Sequence, residues 1–202
     1  MTAAVKRVES VSHGGERLIL VDGSDNILGH DTKLDVHAGS GRLHRAFSIF
    51  LFSGPDRVLL HQRSWEKPLW PGYWTNSCCS HPREGESYDR ATSRRLREEL
   101  GVETPLTRAY RFQYHAQFST LGAEHELCTV YIGNLAVGAS IAPHTEEILT
   151  WGWFDCDEVD AWIKQEPQRF TPWFLLEWEQ LRGDQRWRIE QACADNSIGA
   201  AG

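Results

Sequence analysis

The sequence lacks the long hydrophobic run that a membrane span requires. Of its 202 residues 41% are hydrophobic and 24% are charged, and no stretch of 18 consecutive apolar residues occurs. No transmembrane helix is therefore predicted. The first residues, MTAAVKRVESVSHGGERL, contain no apolar signal core, which predicts a cytoplasmic protein with no membrane partner.

Cysteine is scarce and irregularly spaced. The five cysteines lie at positions 78, 79, 128, 156 and 193, an odd number that fits no disulfide framework. Cys78 and Cys79 are neighbours in WTNSCCSHP, where a vicinal disulfide would strain the peptide. The other interpretations of this pair are half of a metal site and a catalytic acid. Cys128, Cys156 and Cys193 fit small apolar core positions.

Positive charge is in deficit. Lys and Arg number 21 against 28 Asp and Glu, which gives a net charge of −7. This balance argues against nucleic acid as the main partner. A small anionic ligand remains possible, because a local basic cluster can outweigh a mild overall charge.

The remaining pattern predicts one soluble globular domain over residues 1–202, of the α/β or α+β class, with residues 1–15 and 193–202 flexible. Alternating apolar residues predict strands at 17–31 (two around a turn), 42–64 (a hairpin), 108–118, 125–135 and 148–154. Helices are predicted over 88–101 between Ser87 and Gly101, after Asp155 or Asp157, and over 171–183 from Pro172. Residues 64–87 read as a long irregular loop, and such loops are usually functional.

The helix at 88–101 carries a charge pattern that resembles the Nudix signature. The matching residues are Glu86, Arg94, Leu96, Glu98, Glu99, Gly101 and Val102, whereas Ser80 stands for a glycine and Arg95 for a glutamate. Carboxylates on one helix face can hold a hard cation that meets diphosphate oxygens, although a solvated charged face is the alternative. An arginine in place of a carboxylate weakens hydrolysis and adds a bidentate phosphate contact.

Histidines and carboxylates form a second pattern. His37 and His44 are seven residues apart, His81 follows Cys79, and alternation along a strand puts Glu124 and Glu126 on one side. Imidazoles with carboxylates suit Zn²⁺, Mn²⁺ or Mg²⁺. The other candidates, His13, His30, His61 and His144, have no motif around them and fit structural roles.

Four segments together are similar to type I isopentenyl diphosphate isomerase, a family with the Nudix fold: HAGSGRLHRAFSIFLF, PLWPGYWTNSCCSHP, EHELC and FTPWF. The likeness runs in order from about residue 16 to about residue 185. It implies a mixed sheet sandwiched between helices, with extra N-terminal strands and a C-terminal helix. It also implies interconversion of isopentenyl and dimethylallyl diphosphate in isoprenoid biosynthesis.

The resemblance implies a role for each matching residue. Cys79 would be the catalytic cysteine and Glu126 the second catalytic group, with Tyr114 hydrogen-bonded nearby and Trp173 lining the carbocation pocket. The implied divalent-metal ligands (for Mn²⁺, Zn²⁺ or Mg²⁺) are His37, His44, His81, Glu124 and Glu126. Glu99 would help to hold Mg²⁺ on the substrate diphosphate, which Lys33, Arg63, Lys67 and Arg95 would contact.

Three functions are weighed against one another. The first is the isomerase, with a small diphosphate substrate and a monomer or weak homodimer as the assembly. The second is a Nudix diphosphohydrolase, and the third is a zinc-stabilised binding module without activity. Trp74 is a second candidate for the aromatic face beside a cation, whereas Trp151 and Trp153 alternate on a strand and fit structural positions.

Overall fold

Nine strands form one mixed sheet in the computed structural model, which describes residues 11–199, with side chains described to residue 194. The strands are β1 (Arg17–Val21), β2 (Ile27–Thr32), β3 (His44–Phe52), β4 (Arg57–Arg63), β5 (Trp74–Thr75), β6 (Cys78–Ser80), β7 (Leu106–Phe118), β8 (Gly122–Asn134) and β9 (Ile148–Asp155). The helices are α1 (Lys33–His37), α2 (Tyr88–Leu100), α3 (Cys156–Gln165), α4 (Pro172–Arg182) and α5 (Arg186–Gly199). None of these helices is long and apolar enough to cross a membrane.

Strand β3 is the centre of the sheet. Along one edge it pairs in parallel with β8 over its whole length, from His44 opposite Glu126 to Phe52 opposite Asn134. Along its other edge β1, β6 and β4 follow one another, each antiparallel. The short strand β6 is thereby inserted opposite the middle of β3.

The two faces of β3 bury different helices. Phe47, Ile49 and Leu51 belong to the cluster that contains Leu96 and Leu100 of α2. The alternate residues Ala46, Phe50 and Phe52 belong to the cluster that contains Phe174 and Trp178 of α4. Because successive side chains of a strand point to opposite faces, the sheet lies between α2 and the C-terminal helices. The predicted α+β sandwich is confirmed.

Helix α2 begins and ends where the sequence predicts. The Ser87 hydroxyl accepts a hydrogen bond from the Arg90 amide at 3.4 Å, which satisfies one unpaired donor of the first turn. Gly101 follows the helix with a φ of 67°, a left-handed conformation that favours glycine.

Residues 64–87 are less irregular than predicted. Trp74–Thr75 pairs with β4 and Cys78–Ser80 pairs with β3. Two and three residues are too few to show a strand period, so the sequence does not reveal them. Helix α1 was likewise not predicted, and His37 is its last residue.

Flexibility of both chain ends stays a prediction. Residues 1–10 and 200–202 lie outside the described part of the chain. Within it, the Gly14 carbonyl accepts from the Leu34 amide at 3.0 Å, and α5 continues to Gly199, with Ile189, Ala192 and Cys193 in the core.

Candidate active site

One cavity of about 300 Å³ collects nearly all of the predicted site residues. Among the 13 residues assigned from the sequence, only His44 and Glu99 are absent from its lining. His13, for which a structural role was expected, also lies on its wall. The residues brought together are Lys33, His37, Arg63, Lys67, Cys79, His81, Arg95, Tyr114, Glu124, Glu126 and Trp173.

The two adjacent cysteines face opposite sides of the sheet. Cys79 lies opposite Ser48 of β3, and Cys78 lies opposite Ile49. Cys78 is fully buried in the cluster against α2, while Cys79 is partly exposed and lines the cavity. Both are free thiols, so the structure separates a core cysteine from a cavity cysteine.

The Cys79 thiol donates a hydrogen bond of 2.7 Å to Asn76 Oδ1. Burial, with a smaller effect of the Glu177 carboxylate, raises the pKa of this thiol to about 12. The group is therefore held as a protonated thiol in the protein without ligands.

Five side chains converge in a second part of the site, and four of them line the cavity. One ligand atom from each of five residues lies within 4.8 Å of the others: His37, His44, His81, Glu124 and Glu126. His81 Nε2 is 2.9 Å from Glu126 Oε1, and His37 Nε2 is 2.8 Å from Glu124 Oε2. These are the five residues predicted as metal ligands.

The backbone turns two imidazoles toward this cluster. His37 Nδ1 is 2.7 Å from the Lys33 carbonyl, and His44 Nδ1 is 2.7 Å from the Arg42 carbonyl. Because a carbonyl only accepts, each Nδ1 carries a proton, and each Nε2 is left to face the cluster. His37 Nε2 and Glu124 Oε2, which are 2.8 Å apart, have no further partner among the described residues, and buried His44 Nε2 has none within hydrogen-bond distance. Such converging orphan atoms fit a divalent cation.

The fold explains how the ligands meet. Glu124 and Glu126 alternate on β8, and Glu126 lies opposite His44 at the start of β3. A side chain at Gly122 would come 2.5 Å from the His37 carbonyl, so a glycine is needed there for α1 to approach β8. This close approach brings His37 beside Glu124.

Glu126 and Tyr114 form a buried pair on the cavity wall. The Tyr114 hydroxyl donates to Glu126 Oε2 at 2.8 Å. Burial and the adjacent Glu124 carboxylate raise the pKa of Glu126, and burial raises the pKa of Tyr114. A cation in the cluster would oppose the rise in the pKa of Glu126, because a nearby positive charge favours the ionised carboxylate.

Three basic side chains, those of Lys33, Lys67 and Arg95, form a third part of the cavity. Lys67 pairs with Glu147, and Arg95 Nη2 is 3.0 Å from Oε1 of the same carboxylate. Lys33 Nζ is 2.6 Å from Ser12 Oγ and 3.8 Å from Glu16 Oε2. Burial, followed by the charge of Lys67, lowers the pKa of Lys33 to about 8. Crowded cations of this kind attract an anion.

Glu99 lies behind this group rather than in the five-residue cluster. Its Oε1 accepts from Arg95 Nε at 2.9 Å, and both side chains are almost fully buried. Glu98 and Glu86 are also paired, both of them with Arg94. The acidic helix face is thus largely neutralised by arginines.

Trp173 is the tryptophan of the cavity wall that was expected. Its ring is 5.2 Å from that of Trp70 in a T-shaped contact, and the Arg63 guanidinium carbon is 5.3 Å from its centroid. The prediction that Trp74 could supply a second aromatic face in the cavity was wrong. It packs in the core against Phe154 and Trp162, away from the cavity lining.

Several residues of the site were not found from the sequence. Glu16 and Glu147 balance the cations, while Thr75 and Asn76 lie behind Cys79. The ion-pair partners of Glu16 and Glu147 are distant in the chain, so spacing gives no signal for these two, whereas Thr75 and Asn76 lie within four residues of Cys79 in a segment that was read as an irregular loop. Ser80, in place of a glycine, lies in the extended strand β6 and needs no left-handed backbone.

Comparison with known proteins gives two kinds of match. The NUDIX domain profile matches residues 42–174. "Isopentenyl-diphosphate Delta-isomerase" of Serratia proteamaculans is 42% identical over 174 residues, covering 85% of this chain and 96% of the relative. The enzyme of the same name from Burkholderia multivorans is 39% identical and covers 85% and 97%.

Solved structures agree on the fold. DR0079 from Deinococcus radiodurans has a TM-score of 0.61 at 26% identity, covering 74% of this chain and 90% of that one. A MutT NUDIX hydrolase from Burkholderia pseudomallei has a TM-score of 0.55 at 20% identity, covering 69% and 98%. The second likeness concerns the fold alone.

Proposed function

This chain belongs to the isopentenyl-diphosphate Delta-isomerases of the NUDIX family, and we propose that the cavity carrying Cys79 and Glu126 is its active site. The enzyme interconverts isopentenyl diphosphate and dimethylallyl diphosphate in isoprenoid biosynthesis.

The reaction moves a carbon–carbon double bond by one position. A proton is added to the terminal alkene carbon, which leaves a tertiary carbocation at the branched carbon. A proton is then lost from the carbon next to it on the diphosphate side, and its C–H electrons form the new double bond. One proton enters and one leaves, so no redox partner is needed.

Two acid/base groups are therefore required, and Cys79 and Glu126 supply them. They lie on β6 and β8, the strands on either side of β3. Their partners on β3, Ser48 and His44, are four residues apart, so both side chains point to the same face of the sheet. The proposal rests on the observation that Cys79 and Glu126 line the same cavity. Tyr114 orients the Glu126 carboxyl through its hydrogen bond.

The carbocation needs an aromatic face and the exclusion of water. Trp173 supplies the face, with a stabilisation of about 2 kcal/mol in a dry pocket. Because the Trp173 ring contacts both Trp70 and Arg63, it is fixed before substrate arrives. A closed pocket also prevents water from capturing the cation.

The diphosphate serves as a handle. Lys33, Arg63, Lys67 and Arg95 line the same cavity and neutralise its charge. Binding energy gained there orients the alkene between the two acid/base groups. Glu147 would have to give up part of its pairing with Lys67 and Arg95 to the incoming phosphates.

The five converging residues would hold one divalent cation. Glu99, which is paired with Arg95 outside the cavity lining, would have to give up part of that pairing to help to hold the Mg²⁺ that accompanies the diphosphate. When bound, these cations supply positive charge that keeps Glu126 ionisable and offsets phosphate charge. The donor set of three imidazoles and two carboxylates suits Zn²⁺, Mn²⁺ or Mg²⁺.

The test is isomerisation of isopentenyl diphosphate with Mg²⁺ in D₂O. We expect dimethylallyl diphosphate that carries deuterium, with no inorganic phosphate released. Glu126→Gln should abolish turnover, while Glu158→Gln, an exposed matched control, should not. Phosphate release would instead support a diphosphohydrolase, and no reaction with unfolding on chelation would support a binding module.

A further inference from the structure

A fully buried polar network lies behind Cys79. It consists of Thr75, Asn76 and Thr171, each with an exposed fraction of 0%. Polar side chains at this depth need partners, because an unpaired one is costly. The partners in this case include the two groups that flank the cavity from this side, the Cys79 thiol and the Trp173 indole.

The orientation of the Asn76 amide is fixed by its surroundings. Its Nδ2 donates to the Cys78 carbonyl at 2.8 Å and to the Ile49 carbonyl at 3.2 Å. Since carbonyls only accept, the amide cannot turn over without placing three acceptors together. Oδ1 must therefore face the opposite way, where it accepts from the Cys79 thiol at 2.7 Å and from the Thr75 hydroxyl at 2.8 Å.

The Thr75 hydroxyl joins this amide to Trp173. It accepts from the Trp173 indole Nε1 at 3.1 Å and from the Thr171 hydroxyl at 3.0 Å, while it donates to Asn76. An indole N–H can only donate, so the direction of every bond in the chain is determined. With one donation and two acceptances the hydroxyl is fully used. Its oxygen is also 3.8 Å from Cys79 Sγ.

We propose that Thr75 and Asn76 are positioning residues of the isomerase, which hold the Cys79 sulfur and the Trp173 ring in one fixed relation. This inference rests on the roles proposed above for Cys79 and Trp173. Neither positioning residue is in the cavity lining; each acts through the group it bonds. A displacement of about 1 Å at a reacting group can cost about 100-fold in rate.

The backbone around the network supports this function. Residue 74 is bridged in parallel to residue 170, and the Thr171 amide donates to the Trp74 carbonyl at 2.9 Å. These bonds tie β5 to the start of α4, which carries Trp173. The side-chain network thus continues a rigid junction up to the two groups on the cavity wall.

Three substitutions at position 75 test the proposal. Thr75→Val keeps the shape and removes the hydroxyl, whereas Thr75→Ser keeps the hydroxyl and removes a buried methyl. We expect Thr75→Val to lower kcat by about 10- to 100-fold, with KM for isopentenyl diphosphate changed less than about twofold. Thr75→Ser should keep kcat within about threefold of wild type, even if its melting temperature falls below that of Thr75→Val.

If the valine variant does not fold, Thr75→Ala replaces it. Alanine and serine leave the same methyl cavity and differ only in the hydroxyl, so their ratio of kcat values isolates the network. A wild-type kcat in the folded valine or alanine variant would overturn the proposal. The proposal would also be overturned if the activity of every variant were simply proportional to its folded fraction. Wild-type protein assayed alongside separates the two claims, because absence of its turnover refutes the proposed function instead.

Discussion

Arg95 gives the sharpest prediction about stability, because its charge is buried among three carboxylates. The side chain is 1% exposed, and it contacts Glu98 at 2.9 Å, Glu99 at 2.9 Å and Glu147 at 3.0 Å. Removal of one member of a buried ion pair costs about 3–5 kcal/mol, because the remaining charges stay desolvated. For a chain of this size each kcal/mol lowers the melting temperature by roughly 2–4 °C.

Arg95→Met should therefore lower the melting temperature by about 6–20 °C in the absence of substrate. The assay is thermal unfolding at neutral pH, with Arg90→Met on the exposed surface of the same helix as the matched control. Adding Glu99→Gln to Arg95→Met should recover part of the loss, because an amide needs no counter-charge. A decrease of less than about 2 °C in Arg95→Met, or a further fall in the double variant, would refute this reasoning.

Three further predictions concern the cavity and the metal sites beside it. Trp173→Leu should lower kcat about thirtyfold through loss of about 2 kcal/mol of cation–π stabilisation. Steady-state kinetics measure this, with Trp187→Leu at a half-exposed position as the control; an unchanged kcat in Trp173→Leu would contradict the prediction. His44→Ala should leave the purified protein without tightly held divalent metal, because it removes one of five ligands; an unchanged metal content by elemental analysis would speak against the cluster. Glu99→Gln should raise the Mg²⁺ concentration for half-maximal rate by about tenfold while the tightly held metal stays; a titration with unaltered Mg²⁺ dependence would count against this assignment.

Local signals in the sequence sufficed for the central helix and for much of the sheet. Ser87 and Gly101 stand directly before and after α2, and each marks one end of the helix in the sequence. The alternation of Glu124 and Glu126 likewise predicts that their carboxylates share a side, and both line the cavity. Where cap, period and partner are neighbours in the chain, the sequence is sufficient.

Long-range pairing accounts for what the sequence does not reveal. Cys78 and Cys79 differ in environment because β6 lies opposite Ile49 and Ser48 of β3, a register set about 30 residues away. Trp74 was misassigned for the same reason, since its contact with Trp162 joins distant segments. The carboxylates of Glu16 and Glu147 reach the cations only in the folded chain, so no spacing rule finds them.

We propose that Cys79, and not its neighbour Cys78, exchanges a proton with the substrate. The most direct test is the rate of isopentenyl diphosphate isomerisation by Cys79→Ala and Cys78→Ala, each verified as folded. We expect Cys79→Ala to lose about 10²- to 10⁴-fold or more in kcat, and Cys78→Ala to keep its kcat with a stability loss of about 1 kcal/mol. Full activity in folded Cys79→Ala, or a folded but inactive Cys78→Ala, would contradict the account.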